Sequence, residues 1–204
     1  MASVSLVNYG LGNIHAFANI YRRLNIDVDI VDDATGLASA ERLILPGVGA
    51  FDWAMNRLNQ SGIREALDEA VLERGVPVLG VCVGMQMMAR TSDEGELPGL
   101  GWIDARVARF DLPEAHRYPL PHMGWNDIRP RSAECLFRGS ESPRFYFLHS
   151  YYFVPEHDQD VLATADYGGQ FTAAVRKANI IGTQFHPEKS HQWGIDLLRN
   201  FAEL

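Results

Sequence analysis

Residues 77–86 read Pro77-Val78-Leu79-Gly80-Val81-Cys82-Val83-Gly84-Met85-Gln86. A short β-branched apolar run enters Gly-x-Cys-x-Gly and then a segment of helical character, the pattern of a strand that turns sharply into a helix. Glycines at 80 and 84 let the chain turn and let strand and helix approach closely. The side chain at 82 is then lifted above the carboxyl end of the strand. There the positive end of the following helix and its free N–H groups favour a thiolate. The same residues also fit a core cysteine beside a helix-start glycine, because isolated cysteines are usually buried.

The rest of the amino-terminal half repeats that order of strand and helix. Val4–Val7, Val28–Val31, Arg42–Leu45 and Val76–Val81 are short, apolar and mostly β-branched, and each is followed by a turn signal or a polar segment. Between them, residues 13–24, 52–58 and 62–74 carry apolar side chains at helical spacing, and Met85, Met87, Met88 and Ala89 begin a further helix. Strands alternating with helices imply βαβ units and a parallel sheet covered on both faces. After about residue 97 strands dominate: Gly99–Phe110, Pro119–Ile128, Phe145–Phe153, Val161–Asp166, Phe171–Val175 and Ile180–Phe185, closed by an amphipathic helix over Trp193–Phe201. The expected fold is α/β, an open and mostly parallel sheet with helices on both faces and an antiparallel extension in the carboxyl-terminal half. No Pro/Ser/Gly-rich linker divides the halves, so residues 1–204 read as one domain.

Composition narrows the function classes. The net charge of −8, from 18 Lys and Arg against 26 Asp and Glu, argues against a nucleic-acid binder, because affinity for phosphate backbones rests on basic side chains. Two cysteines cannot build a disulfide framework, and neither belongs to a CxxC pair that would hold zinc. The opening MASVSLVNYGLGN has no basic region before its apolar run and reads as a first strand and turn, not a signal peptide. No apolar stretch approaches the roughly 20 residues a membrane helix needs. The expected setting is the reducing cytoplasm.

A cysteine nucleophile needs a base, and the base needs an orienting group. Of the seven histidines, His186 stands at the end of the run Ile180–Phe185 and opens His186-Pro187-Glu188. Pro187 holds the segment extended, so His186 and Glu188 project to the same side and the carboxylate can hold the far N–H of the imidazole. Taken alone, HisxGlu is commonly a polar loop; with the elbow cysteine it becomes a Cys-His-Glu triad in chain order. Pro46-Gly47-Val48-Gly49-Ala50-Phe51 ends another strand, where freely rotating peptides could point N–H groups at an oxyanion. The second donor would be the N–H of Val83. An ordinary strand-to-helix turn fits those residues too. Cys135 has no such surroundings and reads as core.

Two weaker patterns are set aside. Gly10-Leu11-Gly12 suggests a dinucleotide fingerprint, but position 15 is His15 where a third glycine belongs. His186, Glu188 and His191 are residue types that ligate metals, yet Pro187 interrupts the helix that would present them. No metal and no cofactor are expected.

In this order and spacing, GVCVGMQ (80–86), HPEKS (186–190) and PGVGAF (46–51) resemble the class I (triad) glutamine amidotransferases. More narrowly, YGLGN (9–13), PHMGWN (121–126) and FLHSYYF (147–153) are similar to the glutaminase subunits of imidazole glycerol phosphate synthase. The resemblance spans essentially the whole chain. It implies that Cys82 attacks the side-chain amide of L-glutamine, that His186 carries protons and that Glu188 orients His186. It implies further that Gln86 and the His149-Ser150-Tyr151 backbone hold the amino-acid end of the substrate. Gly49 would border the substrate, and the Val48 peptide would complete the oxyanion hole only once a partner binds. The implied partner is a separate (β/α)8 cyclase forming a heterodimer with this chain, with Asn13, Trp125, Tyr146 and Lys189 at the interface. Trp125 and Tyr146 read equally well as core aromatics.

Val83 stands where leucine is usual in the family, an apolar exchange that leaves the mechanism intact. HPEKSHQWG and the Gly-Trp pair of GLGWI also resemble paralogues that feed ammonia to enzymes modifying surface-polysaccharide sugars. Two further readings stand beside these: a solitary Cys-His-Glu hydrolase, and a non-catalytic flavodoxin-like binding module. Gln86 with HSYY weighs against the first, and the complete triad against the second.

Overall fold

The structure is a computed structural model that describes residues 3–112, 116–132 and 135–204. Its strands are β1 (Ser3–Val7), β2 (Asp27–Val31), β3 (Leu43–Gly47), β4 (Val78–Cys82), β5 (Thr91–Ser92), β6 (Ala105–Arg109), β7 (His122–Pro130), β8 (Arg144–His149), β9 (Tyr151–Pro155), β10 (Val161–Asp166), β11 (Gln170–Lys177) and β12 (Ile180–Thr183). The α-helices are α1 (Ile14–Arg23), α2 (Ala34–Ala38), α3 (Phe51–Gln60), α4 (Arg64–Asp68), α5 (Val83–Gln86) and α6 (His191–Ala202). The strands form one sheet in the order β2-β1-β3-β4-β12-β11-β10-β7-β8, with β9 and β6 branching from β11.

The five strands β2-β1-β3-β4-β12 are parallel and the remainder of the path is antiparallel, as the alternation of strands and helices predicts. Every residue of β3, β4 and β12 is buried. That is why these strands read as continuous apolar runs and not as alternating ones. The strand order reverses direction after β2, and right-handed crossovers then put α1 on one face and the helices following β2 and β3 on the other. Helix α6 joins α1, with the Tyr21 hydroxyl donating to the Leu198 carbonyl at 3.2 Å. In β7 and β8 burial alternates, because one face packs on the core and the other meets solvent. Among the described residues no helix is long and apolar enough to cross a membrane.

The structure differs from the sequence reading in several elements. The helix expected from Met85 is the single turn α5. Its continuation is replaced by the 99–103 loop: Leu100, Ile103 and Gly101 donate their N–H groups to the carbonyls of Met87, Met88 and Ala89. The 62–74 segment is α4 followed by a wider π turn over Glu69–Glu73. The stretch Phe145–Phe153 is two strands, β8 and β9, broken at Ser150, whose carbonyl accepts the Phe110 N–H at 3.2 Å. Within Gly99–Phe110 only β6 is strand. Helix α2 leaves no periodic signal in the sequence because it is very short and has one buried side chain, Leu37. Cys135 is half-buried at the edge of the core, where burial pushes its thiol up despite Arg176.

Candidate active site

Strands β3, β4 and β12 end side by side, and their register decides what meets there. Gly47 pairs with Cys82, and Thr183 with Val81, so Gln184 falls beside the cysteine. Cys82 leaves β4 with φ +56° and ψ −113°, a backbone conformation costly for a non-glycine residue and typical of functional sites. Close packing on either side of it depends on glycine. A Cβ on Gly84 would sit 1.9 Å from the Leu45 carbonyl oxygen, and one on Gly47 would sit 2.3 Å from the Gly84 nitrogen. These glycines bring β3 against the first turn of α5, the close approach read from Gly84 in the sequence. With α5 only one turn long, the polarity at Cys82 comes from free first-turn N–H groups such as that of Val83, not from a summed helix dipole.

His186 follows β12. Its Nδ1 lies 2.9 Å from Glu188 Oε1, with both side chains almost wholly buried. Cys82 borders the same cleft as the ring and acts on it electrostatically. Burial alone would lower the imidazole pKa, but the interactions with Cys82 and Glu188 outweigh it and raise His186. The backbone of His186 is clamped from two sides: its N–H donates to the Tyr146 carbonyl at 2.9 Å, and its own carbonyl accepts the Ser190 hydroxyl at 2.6 Å. The Ser190 oxygen also accepts the Tyr146 N–H at 3.0 Å. Cys82 Sγ lies 3.9 Å from the Leu148 carbonyl and 3.8 Å from Gln184 Nε2.

A cleft of about 290 Å³ opens above these groups, lined by Val48, Gly49, Cys82, Val83, Gln86, His149, Ser150, Tyr151, His186 and Lys189. Every residue the sequence reading placed on the substrate or the oxyanion therefore borders one space. That volume lies at the small end of ligand sites. The two glycines around Val48 differ in kind: Gly47 is packed against the elbow, whereas Gly49 has φ +86° and a Cβ there would meet only Trp53, at an ordinary 3.8 Å. The Val48 peptide thus has its freedom on one side only.

Of the four residues assigned to an interface, three cluster beside the cleft, with Lys189 lining it. Trp125 and Tyr146 face each other across β7 and β8 with ring centres 6.3 Å apart, and Lys189 Nζ lies 5.9 Å from the centre of the Tyr146 ring. Trp125 is 36% exposed and stacks on His191, so its place is at the surface and not in the core. Asn13 caps α1, its side chain accepting the Ala16 N–H at 3.3 Å.

Sequence reasoning missed Gln184, Ser190, Glu94, Tyr9 and His122. Gln184 and Ser190 are legible as near neighbours of His186 but carry no pattern of their own. Glu94 lines the cleft and accepts the Phe51 N–H at 2.9 Å. Tyr9, buried, donates to the Pro46 carbonyl at 2.7 Å just before the Gly47-Val48-Gly49 turn. His122 sits on the inner face of β7, which the alternation within PHMGWN could have shown.

The model of the glutamine amidotransferase class-I family matches residues 5–204. This chain belongs to that family. Imidazole glycerol phosphate synthase subunit HisH of Bdellovibrio bacteriovorus is 54% identical over 203 residues, covering 98% of this chain and 100% of the relative. HisH of Leptospira interrogans is 49% identical over 203 residues, with the same coverage. Among solved structures, one described as a glutamine amidotransferase superposes with a TM-score of 0.76 at 23% identity, covering 98% of this chain and 97% of the other. PurLQS from Thermotoga maritima has a TM-score of 0.70 at 18% identity, with 98% and 97% covered. At those identities the two structures bear on the fold, and within it this amidotransferase carries the elbow at the centre of the sheet.

Proposed function

We propose that Cys82, His186 and Glu188 hydrolyse glutamine to glutamate and ammonia, and that the ammonia passes directly to a synthase partner in histidine biosynthesis. The single observation that carries the mechanism is the buried His186 ring, held by Glu188 at Nδ1 and bordering the same cleft as Cys82. His186 takes the thiol proton, and Sγ attacks the side-chain carbonyl carbon of glutamine. The oxyanion meets the Val83 N–H and, once it is turned inward, the Val48 peptide. His186 then gives its proton to the amide nitrogen, the C–N bond breaks and ammonia leaves a γ-glutamyl thioester. Water, deprotonated by the same ring, opens the thioester to glutamate and restores the thiol. Gln86, Gly49 and the His149-Ser150-Tyr151 backbone border the amino-acid end, and Glu94 supplies a carboxylate for its ammonium.

Ammonia loses its nucleophilicity once protonated in neutral water, so a receiving enzyme must dock over the site. The close relatives are named as subunits of imidazole glycerol phosphate synthase, which supports a cyclase partner of (β/α)8 build that makes imidazole glycerol phosphate and aminoimidazole carboxamide ribotide. The docking face is the outer side of β7 and β8: Met123 pairs with Leu148, and Trp125 with Tyr146, giving an exposed apolar strip beside the cleft. Lys189 lies against its Tyr146 ring. In this reading residues 1–204 act as one glutaminase unit in the cytoplasm. The test is synthesis by the reconstituted pair: C82A is expected to lose glutamine-dependent turnover and keep turnover from added ammonia. Loss of both would overturn the ammonia-donor role.

A further inference from the structure

Behind the cleft, on the inner face of β7 and β8, two histidines pair across the strands. His122 and His149 are opposite each other in register, and His122 Nδ1 lies 3.0 Å from His149 Nε2. Both are buried. Neither moves a proton in the reaction above. The His122 ring lies between Tyr167 and Phe147, with ring centres 4.0 Å and 4.9 Å away and nearly parallel planes.

The hydrogen bonds around this pair admit only one arrangement of protons. At one end the Tyr151 carbonyl, an acceptor only, lies 2.8 Å from His149 Nδ1, so that nitrogen carries the hydrogen. At the other end Asn126 Nδ2 donates to the Asp166 carbonyl at 2.8 Å, which decides how the amide is turned. The same Nδ2 lies 3.4 Å from His122 Nε2, which must therefore accept. His122 is left with its hydrogen on Nδ1, pointing at His149 Nε2. Burial pulls both rings down, His122 to about 4 and His149 to about 3, so both stay neutral at working pH.

The series continues toward the nucleophile. The Tyr151 carbonyl that holds His149 also accepts Gln86 Nε2 at 3.2 Å, and Gln86 Nε2 donates its second hydrogen to Gln184 Oε1 at 3.0 Å. Gln184 Nε2 in turn faces Cys82 Sγ at 3.8 Å. With both Gln86 hydrogens committed, its Oε1 is the group it presents to the cleft it lines. A neutral His149 also keeps a second cation away from His186, with which it interacts electrostatically.

We infer that His122 is a positioning residue for glutamine binding. By donating from Nδ1 it holds His149 in the Nδ1–H form, and through the Tyr151 carbonyl it sets the orientation of the Gln86 amide. Its role rests on the glutaminase reading, whereas the proton arrangement does not.

Histidine ring nitrogens of the full chain, labelled with 15N and read by NMR, test the arrangement. Both His122 and His149 are expected as neutral Nδ1–H tautomers from pH 7 down to pH 5. An Nε2–H tautomer, or protonation of either ring in that range, overturns the inference. Kinetics with the synthase partner present test the role. H122F keeps the aromatic stack and removes the donor; about a tenfold rise in KM for glutamine is expected, with kcat changed less than about threefold. H122N places an amide N–H near the Nδ1 position and should recover most of that loss. An unchanged KM in H122F, or equal losses in both variants, overturns the positioning role. Should H122F not fold, H122Q replaces it, since its longer amide reaches the Nε2 position only. Failure of the wild-type chain to hydrolyse glutamine would instead strike the glutaminase reading and leave the tautomers standing.

Discussion

The parallel centre of the sheet and its antiparallel extension contribute to the site in different ways. The centre carries the groups proposed to react, Cys82 at the end of β4 and His186 beyond β12, with the Val48 peptide beyond β3, all at carboxyl ends of fully buried strands. Such strands are fixed by packing on both faces, and the groups at their ends are held to match. The extension supplies the walls: Leu148, His149, Ser150 and Tyr151 line the cleft from β8 and β9. Its strands β7 and β8 have one buried and one wet face, so they present His149 to the cleft and leave Trp125 and Met123 exposed on the other side. In the proposed reading the side chains that react sit on strands packed on both faces, and recognition falls where one face of the backbone remains available.

That contrast can be broken first at the centre. C82A should lower glutamine-dependent turnover by about 10⁴-fold or more, measured with the synthase partner, because no second thiol borders the cleft among the described residues. E188Q should cost on the order of 10²-fold in kcat with the melting temperature little changed, since an amide offers His186 Nδ1 a poorer partner. Near-normal turnover in E188Q would remove Glu188 from the triad. G84A drives a Cβ to within 1.9 Å of the Leu45 carbonyl oxygen, and about 3 kcal/mol of stability should be lost in denaturant titrations. A fully stable G84A would mean that the elbow is looser than its geometry.

The extension should answer to smaller forces. His122 and His149 titrate near 6.5 in the unfolded chain, but burial pulls them to about 4 and about 3 in the fold. Between about pH 4 and 6.5 the unfolded chain therefore binds more protons, and stability falls as pH falls. His186, raised in the fold, opposes that slope only above about pH 6, where the unfolded ring loses its proton. The melting temperature should drop by about 5 °C from pH 7 to pH 5, with a shallower decline in H122F; parallel declines would exclude these histidines as the cause. Smallest of all, W125A should weaken partner affinity about tenfold, as for an exposed aromatic anchor. Unchanged affinity by calorimetry would move the docking face away from β7 and β8.

Much of this is legible in the chain alone, for a reason that differs element by element. Val78–Cys82 and Ile180–Thr183 announce themselves because burial on both faces demands unbroken apolar residues. Cys82 and His186-Pro187-Glu188 announce themselves because their geometry is local: an elbow needs flanking glycines, and His186 and Glu188 are two residues apart. The tripeptide is not extended as its sequence suggests, however; Pro187–Lys189 forms a 3-10 turn that brings Glu188 to His186. Helix α5 is shorter than its sequence suggests because a helix stops when its carbonyls find other donors. Those donors lie at residues 100–103, beyond the reach of helical spacing. Ser150 breaks the aromatic-rich stretch Phe145–Phe153 into two strands for a partner, Phe110, forty residues away.

Local patterns in the sequence carry most of the strand–helix alternation, the elbow at Cys82 and the His186-Pro187-Glu188 motif, because each lies within a few positions along the chain. Folding alone brings Gln184 to the sulfur, Ser190 to the Tyr146 N–H and His122 to His149, and makes His149 and Gln86 donate to one carbonyl, that of Tyr151. Those partners lie tens of residues apart, and only pairing and close packing bring a donor to an acceptor over such separations.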